Sequence, residues 1–227
     1  VKRILEAGID IKVGVLEQEC KELNKKFVTA HNRERPYVTL KWAETKDGYM
    51  ARSNNDLSSA KISDSKNDTK VHQLRATHQA ILVGAGTINR DMPSLDVRHG
   101  NGNNPIKVIL SPLLSVNTNA NTFSKGKSLI YNQLKSYSTE CIEFIQIENF
   151  NLTAVLRDLF KRNIHSVLIE GGPTILEAVI NEKLWNEAIV LKSLDSWGDG
   201  KKAPWLGISS YKEILHNNDI LKYFRPL

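Results

Sequence analysis

The chain is poor in cysteine, with two in 227 residues, Cys20 and Cys141, and no Cys-x-x-Cys pair. Two distant thiols make neither a thiolate metal site nor a redox dithiol, and they read as reduced residues. The six histidines (His31, His72, His78, His99, His165 and His216) never fall as His-x-His or His-x-x-x-His and have no carboxylate cluster beside them. No metal is therefore expected, since metal ligands tend to keep regular spacings. A Gly-x-Ser-x-Gly elbow is missing, and neither cysteine has an obvious partner base, so covalent hydrolysis has no support. No apolar run approaches the ~20 residues of a membrane-spanning helix. The opening "VKRILEAGIDIKVGV" lacks the apolar core and cleavage site of a signal peptide, which makes a cytoplasmic location the expectation. The first residue is Val rather than Met, so a fragment or trimmed chain is expected. Internal repeats and low-complexity tracts are absent as well.

What is present is enough apolar material for a sizeable core, 41% hydrophobic residues, and a net charge of +6. A positive chain favours anionic partners. Its Lys and Arg residues are scattered, and the densest run, "ECKELNKKFVTAHNRERP", alternates sign like a solvated helix face. Nucleic acid is not expected, and a small phosphorylated ligand is. Trp42, Trp185, Trp197 and Trp205 read as core or rim residues rather than a stacking platform for bases.

The periodicity predicts a strand over Gly8 to Val15 and a helix in which Leu16, Cys20, Leu23 and Phe27 form one stripe. A strand through about Trp42 and a turn at Asp47-Gly48 follow, then a polar excursion over 52 to 69 of the kind that covers a ligand or moves. Val71, Leu74 and His78 have helical spacing, with Asp68 or Thr69 as cap. Strands are expected at "AILVGAG", "PIKVILS", "SLIYN", "IEFIQI", "HSVLIE", "EAIVLKS" and near "ILKYFRP", with helices at "NLTAVLRDLFKRN" and "TILEAVINEKLWN" and a Gly-rich loop at "WGDGKKAP". Alternating strands and helices predict α/β with a largely parallel sheet.

Two strand-to-helix junctions stand out, "ILVGAGTINRDMPSL" and "VLIEGGPTILEA". On one edge of one parallel sheet, glycines there admit a phosphate or ring to the backbone and to the next helix's amides. Equally, each is a plain tight turn. Neither is a standard dinucleotide fingerprint or P-loop, because Asn89 stands at the third glycine position and no Gly-Lys-Ser/Thr follows Gly172. Lys41, Arg75, Asp91, Arg98 and Glu170 lie at strand ends and nearby, and taken singly they are surface charges.

In order, "PYVTLKWAETKDG", "VHQLRATHQAILVGAGTINRDMPSLDVR", "PIKVIL" and "LIEGGPTILEAVI" resemble successive motifs of the reductase half of the bifunctional riboflavin-biosynthesis deaminase/reductases, over about residues 36 to 192. The resemblance implies a dihydrofolate-reductase-like fold, a mostly parallel mixed sheet flanked by helices, and a homodimer. It implies reduction of 5-amino-6-(5-phosphoribosylamino)uracil by NADPH. Residues 1 to 34 resemble the last strand and helix of the deaminase half, with the reductase domain over 35 to 227. The deaminase's His-x-Glu and Pro-Cys-x-x-Cys zinc signature is absent from this chain, so neither zinc binding nor deamination is expected of it.

By the same resemblance, cofactor positions fall on Ala43, Lys61, Thr87, Asp91, Ser111 and the run Gly172, Pro173, Thr174, Ile175, Leu176, Glu177 and Ala178. Substrate positions fall on Ser59, Arg75, Leu95, Arg98 and Glu170, and Lys41, Asp91 and Glu170 are the implied catalytic set. One departure matters. Where most relatives carry Gly-Glu-Ser-x-Trp-Ile-Thr this chain has "DLSSAKIS", so Lys61 replaces a tryptophan. Two rival readings remain: a reductase of another pteridine-like substrate, and a non-catalytic binding remnant.

Overall fold

The computed structural model describes residues 1–53 and 61–226. Its helices are α1 (Lys2–Glu6), α2 (Glu17–Leu23), α3 (Lys25–Arg33), α4 (Asp68–Ala76), α5 (Ala85–Asp91), α6 (Leu152–Lys161) and α7 (Pro173–Asn181). The strands are β1 (Tyr37–Glu44), β2 (Tyr49–Ala51), β3 (Ala80–Gly84), β4 (Ile106–Leu110), β5 (Ser128–Asn132), β6 (Tyr137–Ser138), β7 (Ile142–Gln146), β8 (Ser166–Ile169), β9 (Glu187–Ser193), β10 (Lys201–Lys202), β11 (Lys212–His216) and β12 (Asp219–Phe224). Ten of them make one sheet in the order β11-β12-β9-β1-β8-β3-β4-β5-β7-β6, while β2 and β10 pair separately. The run from β9 to β7 is parallel throughout, and antiparallel strands close both edges.

The central strands are buried on both faces, which is why they read as near-continuous apolar runs. Alternation then divides the core in two. Val38, Leu40 and Trp42 of β1 join Val167, Ile169, Ala80 and Leu82 under Val155, Leu156 and Leu159 of α6 and Leu176 and Val179 of α7. On the opposite face Ile81, Val83, Ile109 and Ile130 pack with Ala85 and Ile88 of α5 and with Leu95. Beside them Val71 of α4 meets Ile189, Leu191 and Leu221. The ends of α6 and α7 follow from sequence chemistry. Asn151 accepts from the Ala154 N–H at 2.8 Å as an N-cap, and Pro173 occupies the first turn of α7, where its missing N–H costs nothing.

The strand expected over Gly8 to Val15 is not formed. Gly8 and Gly14 take φ of 73° and 84°, and the segment has no sheet neighbour among the described residues. A period-2 pattern makes a strand only where a partner strand takes up its backbone groups. The expected single helix breaks at Asn24 into α2 and α3, and its stripe of Leu16, Cys20, Leu23 and Phe27 is exposed rather than core. Ala30 is buried and the Phe27 and His31 rings meet His165 and Phe160, and polar ties fasten α3 further. Lys26 Nζ donates to the Thr77 carbonyl at the end of α4 at 2.5 Å, and burial brings its pKa down to about 8. Lys25 Nζ lies 3.3 Å from Glu187.

His78 joins α4 to the sheet. Its Nδ1 donates to the Leu74 carbonyl at 2.7 Å, which leaves Nε2 to accept from the Thr39 hydroxyl at 2.9 Å. Burial, helped by the nearby Lys26 charge, lowers its pKa to about 4. The unfolded chain, with an ordinary value near 6.5, therefore takes up this proton first. The stability the neutral ring contributes is complete above about pH 6.5 and is lost as pH falls towards 4, with a slope of at most about 1.4 kcal/mol per pH unit. Urea denaturation across pH 4 to 7.5 should show this slope in the wild type. In His78→Gln it should be flatter, from a lower plateau.

Candidate active site

β3 and β8 are parallel neighbours, so both glycine junctions do lie at one edge of one sheet. They interlock. A Cβ on Gly84 would stand 2.8 Å from Ile175 Cδ1 of α7. One on Gly171 would stand 3.0 Å from Val83 Cγ1 and 3.2 Å from Thr87 Oγ1, tight enough that those neighbours would have to give way. Each glycine lets the other junction's helix come close. Gly172 has φ of 70° and caps α7; its carbonyl accepts from the Ile175 and Leu176 N–H groups at 3.1 and 3.2 Å, and Pro173 has no N–H, so Thr174 carries the first-turn amide without a backbone acceptor among the described residues. Thr87 and Asp91, four apart on α5, share a helix face, and Asp91 is exposed with its carboxylate 3.3 Å from Arg90.

Beside the β8 junction, reaching across to β1, is a cluster of opposite charges. Leu40 of β1 pairs with Ile169 of β8, so Lys41 lies one rung on, beside Glu170, on the face covered by α4. From α4, Arg75 grips Glu170 with two parallel bonds, Nε to Oε1 at 2.9 Å and Nη2 to Oε2 at 2.8 Å, with both side chains largely buried (12% and 9% exposed). Its remaining Nη1 donates to the Asp96 carbonyl at 3.1 Å. Burial pushes the Glu170 carboxyl up, but Lys41 and Arg75 together outweigh it and hold it below the usual carboxylate range. Burial brings the Lys41 ammonium below its ordinary value despite Glu170, with Arg75 adding to the fall. The cluster of two cations and one anion is net positive, which suits an anionic ligand.

The other expected residues divide. Ala43 lies two residues beyond Lys41 on the same face of β1. Ser111 follows β4, and its buried Oγ accepts from the Val116 N–H at 3.2 Å. The side chain of Leu95 is in the core and its φ of 53° turns the chain. Lys61 Nζ lies 2.8 Å from Asp68 at the start of α4. Arg98 is on an exposed loop, its Nε 3.2 Å from Asp96 Oδ1. Thr174 and Glu177 face outward on α7, Leu176 is buried, and Ile175 and Ala178 are half-buried. Ser59 lies outside the described residues. Arg75, expected to hold substrate, instead has its fork occupied by Glu170. His72 and Asp96, which flank Arg75 and Arg98, are a part of this region that sequence reasoning passed over. The His-x-x-Arg spacing on α4, which puts both side chains on one helix face, was the available signal. Among the described residues no group of three or more His, Cys, Asp or Glu is placed to hold a metal.

A family model described as "RibD C-terminal domain" matches residues 36–193. The chain is 34% identical over 224 residues to the riboflavin biosynthesis protein RibD of Aquifex aeolicus, covering 95% of this chain and 62% of that protein. It therefore spans about three-fifths of that relative's length. The crystal structure of a diaminohydroxyphosphoribosylaminopyrimidine deaminase/5-amino-6-(5-phosphoribosylamino)uracil reductase from Thermotoga maritima superposes with a TM-score of 0.86 at 27% identity, covering 100% of this chain and 66% of that one. At the level of fold alone, dihydrofolate reductase from Enterococcus faecalis superposes with a TM-score of 0.50 at 12% identity over 83% of this chain and 96% of that one. The dihydrofolate-reductase-like architecture expected from the sequence is thus borne out.

Breaking a buried ion pair from one side leaves the other charge uncompensated, at a cost of about 3–5 kcal/mol. Arg75→Met should lose stability of that order in urea denaturation. Arg75→Met/Glu170→Gln should recover part of it.

Proposed function

We propose that this chain, which belongs to the RibD C-terminal domain family, reduces 5-amino-6-(5-phosphoribosylamino)uracil with NADPH to the ribitylamino product. The observation that carries the reading is the net-positive Lys41–Glu170–Arg75 cluster one strand from an interlocked glycine cradle. The cradle fits a dinucleotide: Gly172 carries no side chain at the turn into α7, and the Thr174 N–H with the Thr174 and Thr87 hydroxyls offers donors to a pyrophosphate. When bound, NADPH supplies the hydride, which goes to C1′ of the substrate's sugar. Lys61 and its loop neighbours are assigned to the cofactor's 2′-phosphate.

The chain's own residues do the rest. Opening the ribose ring needs a proton at the ring oxygen, and Lys41, whose ammonium is made easier to deprotonate by burial, is the group that holds one at this centre. Glu170 remains ionised and accepts from sugar hydroxyls with the lone pairs that Arg75 leaves open. Arg75 keeps that carboxylate in a single orientation, while Leu95, packed in the core, turns the chain toward the site and Asp91 faces the cofactor from α5. Arg98, whose guanidinium is 59% exposed, meets the 5′-phosphate together with Ser59. A homodimer is the proposed assembly and the cytoplasm the proposed location.

The direct test is NADPH oxidation with the phosphoribosylaminouracil as substrate. Turnover should be faster with NADPH than with NADH, and no turnover with either would overturn the reading in favour of a binding remnant. Glu170→Gln should cut kcat by about tenfold or more while leaving the Kd for NADPH within about twofold, measured by fluorescence titration. Arg98→Ala should lower kcat/KM by about one to two orders of magnitude, from the loss of a charge-assisted contact of roughly 1.5–3 kcal/mol. It should also erase most of the preference over the dephosphorylated analogue.

A further inference from the structure

His72 is almost fully buried (4% exposed) on the α4 face that carries Arg75, yet it does not touch Glu170 by any hydrogen bond among the described residues. It faces the loop that carries Arg98. The Arg98 backbone N–H donates to His72 Nδ1 at 3.0 Å, which puts the ring hydrogen on Nε2. The loop is held on both sides of that contact. Pro93 accepts from the Thr122 hydroxyl, Leu95 is in the core, and Arg75 Nη1 holds the Asp96 carbonyl. Val97 N–H donates to Asn104 Oδ1 at 2.7 Å, and Gly102 comes so near α4 that a Cβ would lie 2.5 Å from that of Ala76. Between these supports the Arg98 backbone N–H is held, among the described residues, by one imidazole nitrogen, while its guanidinium leans on Asp96 Oδ1.

That nitrogen accepts only while the ring is neutral, since a protonated imidazole is a donor at both positions. The charged and titratable groups facing it are Arg75 from α4, Glu170 from the end of β8, and Asp96, Arg98 and His99 from the loop. The His99 ring stands edge-on at 4.9 Å. Burial first, then Arg75, His99 and Arg98, hold the His72 pKa below its ordinary value against the Asp96 carbonyl, so the acceptor form prevails at neutral pH.

We propose that His72 is a positioning residue for Arg98. By accepting the Arg98 N–H, it fixes the rim loop where that guanidinium meets the substrate's phosphate, and protonation of the ring releases the loop. The catalytic consequence rests on the function proposed above; the anchor itself does not.

Two readouts on the same variants test it. Amide hydrogen exchange should show the Arg98 N–H protected at pH 7.5 in the wild type and in His72→Asn, whose Oδ1 sits near the Nδ1 position. The protection should be lost in His72→Leu. In kinetics, His72→Leu should raise KM for the phosphorylated substrate about tenfold, the loss of about one hydrogen bond's worth of placement, with kcat and NADPH affinity nearly unchanged. His72→Leu/Arg98→Ala should be no worse than Arg98→Ala alone. In the wild type 1/KM should fall below about pH 6.5 more steeply than in His72→Asn. The substrate's phosphate titrates near pH 6 in every variant, so the difference isolates the ring.

An Arg98 amide that stays protected in His72→Leu, or an Arg98→Ala that raises KM beside a His72→Leu that does not, overturns the anchor. If His72→Leu exposes the amide while Arg98→Ala leaves KM unchanged, the phosphate assignment fails and takes the kinetic role of His72 with it. Should His72→Leu not fold, wild-type protection of the Arg98 amide that stays constant, after correction for intrinsic rates, from pH 7.5 down to the lowest pH at which the protein remains folded overturns the proposal.

Discussion

Glu170 is a charge set at the end of a strand whose other residues are buried, and the arrangement stands because Arg75 meets it with both arms of one fork. Taking a carboxylate out of water this far costs several kcal/mol, which a single-point contact would not recover. The parallel geometry does more than offset that cost. It fixes the carboxylate's plane and uses up the two donors that would otherwise compete for a ligand. Among the described residues Lys41, beside the pair, is the cation of the cluster with hydrogen-bonding capacity still to use. The pair also ties the C-terminal end of α4 to the sheet, where the His78 bridge to Thr39 adds a second tie.

The cofactor cradle depends on a different constraint, the absence of side chains. Gly84 and Gly171 belong to junctions about 87 residues apart in the chain, and each is empty where the other's helix intrudes. Thr87 is brought against Gly172 by that same closeness, at 3.6 Å from its missing Cβ. The charged cluster and the cradle are therefore two edges of the same packing solution, joined through β8, which ends in Glu170 and then in the glycines.

Much of this was legible because burial writes itself into composition. Runs such as "AILVG" and "SVLI" are apolar since both faces of a parallel strand are covered, and the two junctions fell on one edge because consecutive βα units in a parallel sheet point the same way. The N-terminal alternation misled, since a strand pattern carries no information about whether a partner strand is at hand. Edge strands such as β11, exposed along its whole length, left too little apolar signal to be seen. Arg75 shows the limit most clearly. Its motif marked it as important, but whether a guanidinium faces a phosphate or a carboxylate 95 positions away is decided by the register of β1, β8 and α4 in space. His72 escaped notice for a related reason, because its partner is a backbone amide and any residue could have supplied that.

The order of strands across the sheet has a consequence for how the chain comes into being. β1 is made early, yet its two neighbours in the sheet are β8 and β9, with Tyr37 opposite Ser166 and Thr39 opposite Glu187. At ribosomal speeds of roughly 5–20 residues per second, this strand, buried on both sides in the finished molecule, spends on the order of ten seconds outside the exit tunnel with neither neighbour to pair with. Val38, Leu40 and Trp42 are open to water and to other nascent chains for that interval. The sheet cannot zip from one end; the seam joining β1 to β3 waits for β8, and such non-local pairing is intrinsically slow.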